Sequence, residues 1–159
     1  MKKVLAAPFD VRQLHWRPGA TTKDKSKAIA LAYIDARDVM KRLDDVVGQD
    51  KWQSRYTHMT GNIAICEIGI LCNDVWIWKS DGAGDSDIEA SKGRISDAFK
   101  RTAVHWGIAR YLYKLPNVWC PLDEWKKLIM EDGIPKGLKL PEWATPEGYA
   151  KLISSHGSK

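Results

Sequence analysis

Apolar and polar residues alternate most cleanly in the middle of the chain, and the pattern predicts three consecutive strands. Residues 51–60 (KWQSRYTHMT) are amphipathic at a period of two, and Gly61-Asn62 supplies a turn. Residues 63–72 (IAICEIGILC) are apolar on both faces except at Glu67, as a central strand should be. After a second turn at Asn73-Asp74, residues 75–79 (VWIWK) place Trp76 and Trp78 on one face. An antiparallel meander follows from these turns.

The period changes on either side. Upstream, Ile29, Tyr33, Ala36, Met40, Leu43 and Val47 recur at helical spacing, predicting a helix over 27–47 capped by Ser26 and ended by Gly48. Downstream, Ser86 or Asp87 caps a second helix that runs to about Tyr113 and stops at Leu115-Pro116. Its apolar face is Ile95, Phe99, Thr102, Trp106, Ala109 and Tyr113, which should pack on the sheet. Residues 1–25 read as irregular because Pro8, Pro18 and Gly19 interrupt them without apolar periodicity. Residues 122–132 look like a short amphipathic helix, and residues 148–155 like a last one. The expected fold class is α+β. Its core is β-β-β-α, an antiparallel three-stranded sheet packed on a long basic helix, with an N-terminal helix and short C-terminal helices. The expected division is an irregular segment 1–25, a core 26–118 and an accessory helical segment 119–159.

Charge changes this picture at one place. Residues 91–114 carry six basic side chains (Lys92, Arg94, Lys100, Arg101, Arg110, Lys114) against one acid, Asp97. The resulting +5 equals the net charge of the whole 159-residue chain, so everything else balances. A localised basic helix bearing aromatic side chains is an electrostatic footprint for a polyanion, most often nucleic acid. The competing reading is a solvated face, which accounts for Lys114 and Arg110 but less well for the four cations within 92–101. Eight tryptophans suit base stacking or subunit contacts as well as a core.

Other chemistry is thin. There is no GxxxxGK[ST], no GxGxxG after a strand, no HExxH and no GxSxG. Cys66, Cys72 and Cys120 form no CxxC pair, and an odd count without a framework fits a reducing compartment. The N-terminal apolar run 4–7 is too short for a secretory leader, and no stretch approaches the roughly 20 apolar residues of a membrane helix. A cytoplasmic protein that does not span a membrane is expected. The acidic stretch 81–89 offers hard oxygens from Asp81, Asp85, Asp87 and Glu89. With Glu67 or Asp74 these would make a two-metal nuclease centre. Its spacing does not match an EF-hand, and acidic turns before helices also serve as caps.

The stretch ISDAFKRTAVHWGIARYLYKLP, residues 95–116, closely resembles the signature of the single-strand annealing proteins of the Rad fifty-two type, which include phage Sak-like annealases. Asp97, the pair Lys100-Arg101, an aromatic at Trp106 and Gly107 stand in the family's order. Tyr33-Ile34-Asp35, the stretch 48–52 and the strand-strand-strand-helix order also have counterparts, so the resemblance covers about 25–118. It implies protomers that assemble into a ring with single-stranded DNA in a basic groove. The activity implied is annealing of complementary strands without ATP or cofactor, in recombination and repair, most naturally in a phage and then in the host cytoplasm. The partners implied are single-stranded DNA, further copies of the chain, and a phage exonuclease or host single-strand-binding protein. Lys100 and Arg101 match the family's inner DNA site, Lys92 an outer one, and Arg37 lies near a family arginine. Val104 stands where eukaryotic members have a basic residue, so Arg94 or Arg110 would supply that charge. Lys51 and Arg55 on the first strand complete the expected DNA contacts, and Trp52 and Tyr56 are the stacking candidates, although sheet packing accounts for both. No catalytic residue and no metal ligand are expected on this reading. The alternatives are the metal-dependent nuclease and a single-strand-binding protein that protects DNA without annealing it.

Overall fold

The computed structural model describes residues 2–58, 63–84 and 91–156. They form two units, each assembled from two separate stretches of chain. One contains residues up to Ala6 and Asp35–Arg110, the other Ala7–Ile34 and Tyr111 onward. The fold is α+β with antiparallel sheets, as expected.

The first unit begins with a short helix α1 (Lys2–Leu5) and contains α2 (Ala36–Val47). Asp35 caps α2 by accepting a hydrogen bond from the Arg37 amide, and Gly48 closes it at a φ of 96° that other residues rarely adopt. Val39 and Leu43, one turn apart, are its buried side chains. The three-stranded meander follows α2 in the chain.

In the second unit, β1 (His15–Thr21) pairs antiparallel with β2 (Lys27–Tyr33). The meander of the first unit is then β3 (Trp52–His58), β4 (Ile63–Cys72) and β5 (Val75–Gly84) in that spatial order. Ala64, Cys66, Ile68 and Ile70 on β4 are fully buried. They meet α3 (Ser91–His105), which buries Ala98, Phe99, Thr102 and Ala103. Each fully buried Ile or Phe contributes roughly 1.5–3 kcal/mol relative to exposure. Thr102 is buried at no polar cost, because its hydroxyl lies 3.0 Å from the Cys66 carbonyl and 2.8 Å from that of Ala98. The β4–β5 connection is a two-residue turn with Asn73 and Asp74 at φ 49° and 62°, the hand that matches strand twist.

The second unit adds β6 (Trp119–Pro121) to β2, with Ile29 opposite Trp119. Its core is Ala30, Cys120, Leu128 and Leu138, with Trp16, Val118, Leu122 and Leu140 packed around it. A two-residue ladder joins β7 (Met130–Glu131) and β8 (Ile134–Pro135), and α4 (Pro146–His156) is the last helix.

Four sequence expectations are corrected. Residues 1–25 are not irregular, since they contain α1, a 3-10 turn Val11–Gln13 and β1. The helix expected over 27–47 is a strand followed by a helix. Ala28 and Ala30 are buried at a period of two, and the cap is Asp35 instead of Ser26. The basic helix ends at His105, not Tyr113. Gly107 and Ala109 take φ values of 93° and 57° before a 3-10 turn Arg110–Lys114. Residues 122–132 are not helical: Leu122 bridges Leu128, and Lys126 and Asp132 adopt φ 63° and 50° in turns. The third strand also runs five residues further than expected, to Gly84, so Asp81 belongs to a strand. The capping expectation at Ser86 or Asp87 lies outside the described residues. No helix among the described residues is long and apolar enough to cross a membrane.

Candidate nucleic-acid interface

The burial of alternate β4 residues against α3 leaves the flank of that helix beside β5 exposed, and charged groups converge there. Arg101 Nη2 lies 3.2 Å from Asp81 Oδ1, and His105 Nε2 lies 3.1 Å from Asp81 Oδ2. Lys79, two residues before Asp81 and on the same side of β5, donates to the His105 carbonyl at 2.8 Å and sits 4.5 Å from the Trp106 ring centroid. Trp106 is itself anchored by its indole N–H on the Ile68 carbonyl at 3.1 Å. Burial pushes the Asp81 carboxyl up, but hydrogen bonds from the Gly82 amide, His105 and Arg101 outweigh it and hold the carboxyl below its ordinary value. Asp81 is therefore an anion that occupies the cations around it. Its side chain is 24% exposed and that of Arg101 53%, so the pair is open to competition from another anion.

The remaining expected DNA contacts distribute over several surfaces. Lys100 lies on the same helical turn as Arg101, with its ammonium 3.1 Å from Asp97. Arg94 is half-buried on α3, and the side chain of Lys92 lies outside the described residues. Arg110 turns back on α3: its guanidinium donates to the Val104 carbonyl at 2.9 and 2.7 Å and to that of His105 at 2.9 Å. That geometry closes the helix C-terminus, where orphan carbonyls and the helix dipole favour a cation. Arg37 is highly exposed at the start of α2 and pairs with the capping Asp35 at 3.3 Å. Lys51 is exposed in the turn before β3, where its carbonyl accepts from the Leu71 amide.

Arg55 lies on the other face of the sheet. It stands opposite Glu67 with a 2.5 Å contact, and its guanidinium sits 4.0 Å over the Trp78 ring. Trp78 in turn covers Gly69, its cross-strand partner, so closely that a Cβ there would come within 2.9 Å of the ring. Of the stacking candidates, Trp52 is held in the packing: its indole donates to Asp44 at 2.7 Å and its ring lies 6.2 Å from Phe99. The Tyr56 hydroxyl donates to the Ile95 carbonyl at 3.2 Å, and burial, with the Cys66 thiol adding, pushes its pKa up to about 12. Among the described residues no three His, Cys, Asp or Glu side chains come together as a metal site, and Asp85, Asp87 and Glu89 lie outside those residues. Sequence reasoning missed Lys79, Asp81 and His105 as a group. The alternation of β5 carried on past Lys79 would have shown that the first two share a face.

A helix bearing Lys100 and Arg101, packed on a three-stranded antiparallel meander, defines an α+β unit with ion-paired cations on one flank of the helix. The chain belongs to the Rad52/22 family of double-strand break repair proteins, whose family model matches residues 1–126. That match reaches further on both sides than the motif-based resemblance over about 25–118. Among its relatives is the single-stranded DNA-binding protein DdrA of Deinococcus deserti, 37% identical over 168 residues that take in 98% of this chain and 77% of the relative. The protein of the same name from Deinococcus radiodurans is 34% identical over 167 residues, covering 98% of this chain and 74% of the relative.

Proposed function

We propose that this protein binds single-stranded DNA and anneals complementary strands without ATP, in recombination and repair. Similarity along 98% of the chain to two single-stranded DNA-binding proteins carries the reading, together with the family match. Lys100, Arg101 and the neighbouring Lys79 supply a surface on which phosphates replace Asp97 and Asp81 as partners. Such contacts give affinity without sequence preference and a strong dependence on salt. Bases held outward pair with a second strand, and base pairing supplies the free energy, so no catalytic step is required. Self-assembly into a ring belongs to the same reading. β3 and β5 are the outer strands of the meander, and pairing with neighbouring copies would cover their edges.

The test is the rate of annealing between two complementary labelled oligonucleotides, without ATP and with a chelator present. Wild type and Lys100→Ala/Arg101→Ala are compared. Wild type is expected to accelerate annealing. The double variant, lacking two phosphate contacts, should bind single strands about 25-fold more weakly near 0.1 M salt, from a slope of about 0.7 per contact. Tight binding without acceleration would reduce the protein to a protective binder. Unchanged affinity in the folded double variant would move the site away from α3.

A further inference from the structure

Two turns of the second unit lie side by side and carry an arrangement that α3 does not. The β1–β2 turn presents Lys23, Lys25 and Lys27, all exposed. The turn between Leu122 and Leu128 presents Trp125, Lys126 and Lys127, also exposed. Lys126 Nζ lies 3.4 Å from the Lys25 carbonyl, which brings the two tips together. Two of the acids here, Asp24 and Asp123, are engaged within the turns, and Glu124 is exposed beside Trp125. Asp24 accepts from the Thr22 hydroxyl and from the Ser26 amide and hydroxyl at 2.6–3.0 Å, and Asp123 accepts from the Lys127 amide at 2.8 Å. Among the described residues no carboxylate forms an ion pair with the ammonium of Lys23, Lys25, Lys27, Lys126 or Lys127. On α3, by contrast, Lys100, Arg101 and Arg110 all have partners.

The aromatic groups complete the pattern. Trp125 is 72% exposed at the tip. Trp119 is 47% exposed and opposes Ile29 across the β2–β6 ladder, while Lys27 opposes Pro121. Ala28 and Cys120 are buried between them, so Lys27 and Trp119 share the other face of that sheet. Unpaired cations around isolated indole faces match a single strand, which offers phosphates and unstacked bases together. A duplex hides its bases. A lipid surface calls for a contiguous apolar tip, whereas Trp125 stands among lysines and Glu124.

We infer that these paired turns form a second single-stranded DNA contact, with Trp125 stacking on a base and the five lysines on phosphates. The inference rests on the single-strand reading above and adds a site to it in the other unit of the chain. The probe is a fluorescein-labelled oligothymidylate titrated at several salt concentrations. The variants are Trp125→Ala, Trp125→Phe and Lys23→Ala/Lys25→Ala/Lys127→Ala, each made in wild type and in Lys100→Ala/Arg101→Ala. Trp125→Ala should weaken binding about tenfold, within the range for loss of one stacked base, and Trp125→Phe should recover most of it. The triple lysine variant should lower the salt slope by about 2. The same losses are expected in the Lys100→Ala/Arg101→Ala background. Ultraviolet cross-linking of the oligonucleotide to wild type, followed by peptide mapping, should place an adduct on Trp125. If wild type binds while these variants match it in affinity and slope, the second contact is refuted and the first stands. If wild type does not bind at all, the single-strand reading fails and this one with it. Loss of affinity for phosphatidylserine vesicles with oligonucleotide binding intact would assign the turns to a lipid surface and overturn the inference.

Discussion

Replacing Asp81 by asparagine should tighten single-stranded DNA binding. In the folded protein one carboxylate holds both Arg101 and His105, and Lys79 lies two residues away on the same strand face. Asparagine keeps an oxygen that can accept from the Gly82 amide, 2.7 Å from Asp81 Oδ1, while removing the charge that competes with phosphate. Arg101 then takes up its phosphate without first leaving a carboxylate, so affinity should rise by the worth of that partly exposed pair, up to about fivefold at low salt and less as salt screens it. The stability cost is small, within about 1 kcal/mol, because the pairs are partly exposed and screened. Fluorescence anisotropy over a salt series reads both the affinity and the slope. Arg101→Ala in the Asp81→Asn background should erase the gain, giving a coupling between the two positions that a mere loss of acid would not. Equal or weaker binding by a folded Asp81→Asn, with an unchanged slope, would refute the idea that Asp81 competes with DNA for the α3 cations.

Two further outcomes follow from the geometry. Arg110→Ala should cost about 1–2 kcal/mol in urea unfolding, because three hydrogen bonds to the last carbonyls of α3 are lost, yet leave the salt slope of DNA binding unchanged. A lower slope at unchanged stability would instead return Arg110 to the DNA surface. Gly69→Ala should destabilise by about 1–3 kcal/mol, since its Cβ would lie 2.9 Å from three Trp78 ring atoms and the indole, with Arg55 above it, must move. Wild-type stability in that variant, measured by the same unfolding, would mean that Trp78 does not rest on the strand.

The meander was legible because β4 is apolar on both faces and its neighbours alternate around recognisable turns. Where the sequence misled, two periods were compatible with the same residues. In 27–47 the small side chains Ala28, Ala30 and Ala32 fit a helix as well as a strand, and only pairing with β1 and β6 decides for the strand. In 122–132 the amphipathic pattern is real, but Asp123 stabilises a turn through the Lys127 amide, and tertiary pairing of Leu122 with Leu128 overrides helix propensity. The α3 cations could be read from composition. Asp97, three residues before Lys100, could be read too, but Asp81 could not, because Asp81, Lys79 and His105 meet only once β5 is aligned beside the helix.

The discontinuity of the two units bears on how the chain acquires its structure during synthesis. All segments of the unit that holds the α3 flank have been made once Arg110 emerges, and its strands follow one another along the chain. The other unit finishes later: its β1–β2 hairpin precedes the meander in the chain but must wait for β6 near residue 120 to cover its second edge. Residues 7–34 therefore spend the translation of residues 35–118 as an open-edged hairpin, marginally stable at best by itself. A nascent chain whose Arg110 has just emerged would carry a folded meander and an unfinished hairpin, the latter exposed to proteases and chaperones at the ribosome.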